Sequence, residues 1–337
     1  MAQNKPLTPE RIMQFAWGYA PTLVIEAAVR HGIFDLLNKG PLTAAQVAAR
    51  TGTSLRGVKG ILDVLVSIHL LRHKGERFAL TPESAAFLVS TSPAYYGMLF
   101  RHISGQLLPG WLQLTEVVRT GRPTNKVNNR KQGAQFFATF VESLFPLSFP
   151  AASALGHHLG IAKVSNSISV LDIGAGSGVW GIALAKQSPD VHIHAVDWPQ
   201  VLKVTRRVAQ KHGVAKRLST APGDFFEADF GKGHRVATIG HILHSEGRER
   251  SQRLLKKVFH ALAPGGTVAI QEFVPNEDRT GPPNALIFAV NMHINTETGD
   301  TFTFGEMSQW LRKAGFRNPR LLDVPSVSPL ILADKPK

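Results

Sequence analysis

A chain of 337 residues with 43% apolar side chains has ample material for a core, which excludes a wholly disordered protein and suits about two domains. The absence of cysteine excludes disulfides, thiolate metal sites and a cysteine nucleophile, and is compatible with a reducing compartment. A formal charge of +14 raises nucleic acid as a partner, yet the excess is spread at +4 over residues 1–100, +5 over 101–165 and +5 over 166–337, whereas a nucleic-acid site needs a clustered basic face.

The N-terminus lacks the basic and apolar regions of a secretory leader, and no stretch approaches the ~18–20 apolar residues of a membrane span. A soluble cytoplasmic protein with no membrane partner is expected. Residues 22–37 carry apolar positions at helical spacing, ending in Ile33, Phe34, Leu36 and Leu37. Thr43 is a plausible N-cap for AAQVAAR, and Thr53-Ser54 opens a helix through Val58, Ile61, Leu62, Val64, Leu65 and Ile68. Leu70 to Leu80 reads as two short strands around Lys74-Gly75. Three helices closed by a hairpin spell a winged helix, a shape that often docks on DNA.

Residues 86–160 are rich in helical apolar runs, notably Gln135 to Leu147 with Phe136, Phe137 and Phe140. The densest basic stretch, Arg122, Lys126, Arg130 and Lys131, lies in a Pro/Asn-rich segment there and reads as a solvated loop. From 168 onward the pattern alternates. Strand-like runs at Ile168–Ile173, His192–Val196, Ala237–Leu243 and Thr267–Phe273 are separated by helical stretches at Val179–Ser188, Val201–His212 and Ser251–Leu262. That alternation predicts an α/β domain with a mostly parallel sheet.

The first of these strands runs into Asp172-Ile173-Gly174-Ala175-Gly176-Ser177-Gly178, a glycine loop at the crevice where α/β sheets bind ligands. A dinucleotide fingerprint would place its third glycine at Val179; here it falls one residue early, at Gly178. Asp172 just ahead of the loop would repel a pyrophosphate but suit an ammonium group, which points to S-adenosylmethionine (SAM) over NAD. The next strand ends at Asp197-Trp198, a carboxylate about 20 residues past the loop, placed to accept from ribose hydroxyls beside an aromatic cover for the purine. Asp224-Phe225 follows at the third strand's end, where Asp224 could accept from the adenine amino group.

Together LDIGAGSG, AVDWP, GDFFE, the ILH of the fourth strand, LAPGG and WLRKAGF resemble the class I SAM-dependent methyltransferases. With the winged-helix region, the chain is similar over nearly its whole length to the small-molecule O-methyltransferases of plant phenolic and bacterial polyketide secondary metabolism. The resemblance implies a winged-helix dimerisation domain over residues 1–95, which builds a homodimer and binds no nucleic acid. It further implies a helical linker over 96–165 that contributes to an acceptor pocket, and a Rossmann-like SAM-binding domain over 166–337.

Methyl transfer from a sulfonium needs alignment and removal of the acceptor's proton. A histidine at pKa ~6.5 is largely neutral at pH 7 and can serve as base toward a phenol of ~10. His244, at the end of the run ATIGHIL, occupies the position of the family's catalytic base, and Glu272, after VAIQ, matches the acid that orients it. Two departures stand out. The Asp-Trp that commonly follows the base is Ser245-Glu246 here, and a second acid expected near Gly299 falls on Thr301, with Asp300 one residue off. Phe136 and Phe140, with Asn291, Met292 and His293 of NALIFAVNMHIN, are candidates for the small-molecule acceptor's pocket. Phe137 belongs with Phe136 and Phe140 as a candidate, although an aromatic stripe at helical spacing is more often core. His192 and His194 alternate on a strand as packing or surface residues, and His157, His158 and His241 have no ligand set, so no metal is expected.

Two other functions stay open. One is a SAM-binding enzyme of this fold that catalyses a non-methylating reaction, or that methylates N, S or C. The other is a winged-helix regulator or nucleic-acid methyltransferase, which the missing cysteine and the missing Asn/Asp-Pro-Pro-Tyr segment disfavour.

Overall fold

A computed structural model describes residues 7–127, 130–138 and 140–337, with the side chains of 130–132 outside the description. These residues divide at Pro109/Gly110 into two compact units. Among the described residues no helix is long and apolar enough to cross a membrane.

The first unit opens with α1 (Glu10–Ala16), which buries none of its residues, followed by α2 (Ala20–Arg30) and α3 (Ile33–Asn38). The apolar periodicity over 22–37 predicts one helical run, but Gly32 adopts φ 65° and breaks it in two, a backbone sign open to glycine at little cost. α4 (Ala44–Thr51) begins at Thr43, whose hydroxyl accepts from Gln46 N–H while the Gln46 side chain accepts from Thr43 N–H, a reciprocal capping box. Ser54 caps α5 (Leu55–Ser67) in the same sense. Strands β1 (Leu71–Lys74) and β2 (Arg77–Leu80) form the expected antiparallel hairpin, and Leu42 bridges to Phe78 as a third rung. Ile33, Phe34, Val47, Val58, Leu62 and Leu65 make the core of this unit, each at most 2% exposed. α6 (Pro82–Phe87), α7 (Gly97–His102) and a π-helical turn (Ile103–Leu107) complete it.

After α8 (Leu108–Trp111), the second unit begins with α9 (Leu114–Thr120), α10 (Arg130–Ala138) and α11 (Phe145–His158). Its sheet then alternates with helices: β3 (Ile168–Ile173), α12 (Val179–Ala185), β4 (Val191–Asp197), α13 (Pro199–Lys211), β5 (Leu218–Pro222), β6 (His234–Gly240), α14 (Leu243–Ala261) and β7 (Leu262–Gln271). α15 (Pro283–Asn295), α16 (Phe304–Ala314), β8 (Arg317–Leu322) and β9 (Leu330–Asp334) follow. The strand order is β5-β4-β3-β6-β7-β9-β8, with all strands running the same way except β9, which is antiparallel to both its neighbours.

This order places a topological switch point between β3 and β6, the crevice where open α/β sheets bind ligands. Ile173, Val196, Ala221, Ile239 and Ile270 stand in register across the sheet. The residues just beyond them, Gly174, Asp197, Pro222, Gly240 and Gln271, therefore share one edge. Both faces of the sheet are covered, so its central strands read as near-continuous apolar runs rather than alternating ones.

One boundary differs from the pattern in a way that matters for the site. The apolar run over 237–243 predicts a strand to Leu243, whereas β6 stops at Gly240 and His241 takes φ 58°. The chain then enters α14, so His244 projects from a helical turn and not from a strand end. Gly247, at φ 73° and ψ 175°, separates that turn from the longer helix beyond it.

Candidate active site

The loop joining β3 to α12 turns on Gly174, Gly176 and Gly178, all left-handed at φ 61°, 55° and 78°. A side chain at Gly178 would also meet Thr205 Cγ2 at 2.9 Å, and one at Gly174 would run into Ile242, so glycine is required for space as well as for backbone sign. A cleft opens above this loop. Gly174, Ala175 and Gly176 line it, as do Asp197, Trp198, Asp224 and Phe225.

Asp197 closes β4. Its Oδ2 accepts the Gly176 N–H at 2.9 Å and its Oδ1 the Trp198 N–H at 2.7 Å. Burial pushes its carboxyl up to about 6 against the pull of those two amides. Each oxygen keeps a second lone pair, so the group has acceptor capacity for a ligand's hydroxyls. Asp172 is different. It is fully buried beneath the loop, accepting from Gly181 N–H at 3.0 Å and from the Thr238 hydroxyl at 2.9 Å, and burial pushes it up to about 7. It is not among the cleft-lining residues; it bolts β3 to α12 and β6 and cannot meet a ligand's ammonium directly.

His244 lies in the turn at the start of α14; its neighbours His241, Ile242, Ser245 and Glu246 line the cleft, while His244 and Glu272 themselves sit just behind that lining. Its Nδ1 is 2.7 Å from Glu272 Oε2, and its backbone N–H donates to Oε1 of the same carboxylate at 3.3 Å. Both side chains are buried, at 9% and 3% exposure. Burial alone would raise the Glu272 carboxyl, but the His244 ring and amide outweigh it and hold the group below the usual carboxylate range. With Nδ1 engaged, Nε2 is the nitrogen left for chemistry. The position where a second acid was expected holds no such group: Thr301 is buried, and Asp300 donates its N–H to the His244 carbonyl while its carboxylate pairs with Arg279.

The expected acceptor residues are brought together only in part. Phe137 lines the cleft and packs 6.1 Å from the Trp198 ring, whereas Phe136 and Phe140 stand beside Phe137 at 5.2 and 5.6 Å and are not among the lining residues. On α15, Asn291 and Met292 are buried, but His293 is exposed, because it falls on the opposite side of the helix from them. Asn291 is committed to structure, its Oδ1 accepting from Trp111 Nε1 at 3.0 Å and from Asn295 at 3.2 Å. Of the basic stretch, Lys126 pairs with Glu297 at 2.5 Å, and the side chains of Arg130 and Lys131 lie outside the described residues.

Several residues escaped the sequence reading. Phe288 packs edge-on to His244 at 4.9 Å and stacks on Phe273 at 4.0 Å. Phe273 follows Glu272 directly and Phe288 lies four residues before Met292, so each was one step from a residue already singled out. His241 lines the cleft beside them, its Nε2 at 3.2 Å from Ser328 Oγ, and burial pushes it down to about 4, which keeps it neutral. Trp180, Val141 and Ser148 also reach the cleft. No local pattern separated these from ordinary core.

Comparison with known proteins fits this geometry. An O-methyltransferase domain model matches residues 111–317, and an O-methyltransferase dimerisation domain model matches 13–90. The 3-hydroxy-5-methyl-1-naphthoate 3-O-methyltransferase of Streptomyces sahachiroi is 30% identical over 311 residues, covering 91% of this chain and 89% of its own. The acetylserotonin O-methyltransferase of Gallus gallus is 29% identical, covering 92% of each. A solved structure from Nostoc punctiforme has a TM-score of 0.89 at 30% identity, covering 98% of this chain and all of that one. PigF solved with S-adenosylhomocysteine (SAH) reaches 0.83 at 26%, with 98% and 100% covered. A glycine loop and a carboxylate at the switch point, a buried His–Glu pair one strand further on, and these two matched domains place the chain in the family of SAM-dependent O-methyltransferases.

Proposed function

We propose that this chain transfers a methyl group from SAM to a hydroxyl of an aromatic or polyketide-like small molecule, with His244 as general base and Glu272 as the group that orients it. The observation that carries the reading is the buried His244–Glu272 pair, 2.7 Å apart, set among cleft-lining residues. Named relatives that methylate a naphthoate hydroxyl and acetylserotonin support an aromatic acceptor.

The residues present fit the donor. Left-handed glycines open a path for backbone amides, Asp197 offers unfilled lone pairs for two ribose hydroxyls, and Trp198 supplies an apolar face beside it. Asp224 and Phe225 would hold the base at the other end of the cleft. SAM, when bound, supplies a methyl group already activated on a sulfonium. What the protein adds is alignment and one proton transfer. His244 Nε2 takes the acceptor's hydroxyl proton, and Glu272 on Nδ1 fixes the tautomer and stabilises the imidazolium that results. Phe288 and Phe273 form an apolar wall next to that imidazole, suited to a flat ring. His241 remains neutral beside a cationic donor, which avoids a repulsive charge in the cleft. The matched dimerisation domain supports a homodimer, and the exposed Ile12 and Phe15 of α1, with Trp17 just after it, offer apolar surface for a second copy to cover.

Calorimetry with SAH, combined with a panel of phenols assayed for SAH release, tests this. Binding of SAH with methylation of at least one aromatic hydroxyl is expected; no heat from folded protein with either SAM or SAH overturns it.

A further inference from the structure

The Ser245-Glu246 pair departs from the Asp-Trp expected after the base, and the structure shows what Glu246 does instead. It lines the cleft, is 5% exposed, and its Oε2 lies 2.5 Å from Arg250 Nε. The same guanidinium reaches Asp224 Oδ2 at 3.1 Å and lies 4.6 Å from the centre of the Phe226 ring. Arg250 thus grips two carboxylates that both line the cleft.

It is not alone. Arg253 and Lys257 follow at three and seven residues, on the same face of α14. Arg253 covers Phe226 at 4.5 Å, and Lys257 Nζ donates to the carbonyls of Phe225 and Ala228 at 2.7 and 2.6 Å. In sequence these cations read as ordinary charges on an amphipathic helix. In the fold they hold the segment from Asp224 to Ala228, which presents Asp224 and Phe225 to the cleft.

From this we infer that Arg250 is a positioning residue for the donor's base: it holds the Asp224 and Glu246 carboxylates at the far end of the cleft, where they select a base that carries an exocyclic amine. The inference rests on the proposed placement of the donor. Carboxylates are acceptor-only groups, so a wall of two favours a ligand edge that donates, as the amino group of adenine does, over one that presents a carbonyl. Without the guanidinium the two acids would repel one another and the Asp224 carboxylate would lose its charged partner.

The test is SAH binding by calorimetry alongside S-inosylhomocysteine, whose base carries a carbonyl in place of the amine. Wild-type protein is expected to prefer SAH by about tenfold or more. Arg250→Met should weaken SAH by about tenfold while weakening the inosine analogue little, so that the preference collapses toward one. Arg250→Lys, which keeps the charge but not the fork, should recover part of the preference and controls for misfolding. Equal weakening of both ligands by Arg250→Met, or no change in either, overturns the inference. Failure of wild-type protein to bind SAH overturns the proposed function instead.

Discussion

The two sides of the switch point are built by different means. On the β3–β4–β5 side, a glycine loop and Asp197 sit within about 25 residues of one another, and the site depends on backbone amides and one buried carboxylate. On the β6–β7 side, His244 and Glu272 are 28 residues apart and Phe288 comes from a later helix, so the proposed chemistry depends on side chains that only packing unites. Donor recognition by backbone tolerates side-chain change nearby. Proton transfer does not, because one nitrogen must be aimed and its partner held.

Removing the proposed base would draw the sharpest line between the sides. His244→Ala is expected to lower turnover by about 10² to 10⁴ while SAH affinity, measured by calorimetry, stays within about twofold. Unchanged turnover would sink the assignment. Glu272→Gln should follow with a loss of about 10²-fold in kcat and little change in donor affinity, since the imidazole loses its orienting charge. An equal loss in both quantities would show that the pair acts on the fold and not on the chemistry.

The donor side breaks by pH. Burial raises Asp197 to about 6, and the ribose hydroxyls of the proposed donor would favour its ionised form, so the bound carboxyl should titrate lower. Binding therefore releases a proton below pH 6, and SAH affinity should be about tenfold weaker at pH 5 than at pH 7.5. Asp197→Asn should bind weakly and flatten that dependence; a wild-type affinity independent of pH would contradict the role.

The smallest effect concerns the bolt between the sides. Thr238 of β6 donates to Asp172 of β3, so Thr238→Val should cost about 1–3 kcal/mol in urea unfolding at pH 8. Asp172 titrates near 7 when folded and near 4 when unfolded, so folding takes up its proton between those values. That contribution is present at low pH and fades as pH rises through about 7. The hydroxyl stabilises the charged form, hence the cost of Thr238→Val should shrink at pH 5; a cost independent of pH would assign Thr238 a packing role alone.

Much of this molecule was determined by sequence. Thr43 and Ser54 capped the helices expected of them, the hairpin formed where Lys74-Gly75 indicated, and the glycine loop fell at the end of the first parallel strand, because capping, turns and left-handed backbone are local matters settled by a few adjacent residues. The His–Glu pair was expected only through the family resemblance, and its 2.7 Å contact is a product of the fold. Tertiary structure alone decided which face each residue shows. Asp172 went under the loop, His293 went to the exposed side of its helix, and β6 ended four residues before His244. The same holds for the cations of α14, which grip a loop more than 20 residues upstream. Periodicity tells buried from exposed along one element, but whether a buried side chain meets a ligand, a backbone amide or another side chain depends on which element packs against it, and that is a property of the assembled sheet.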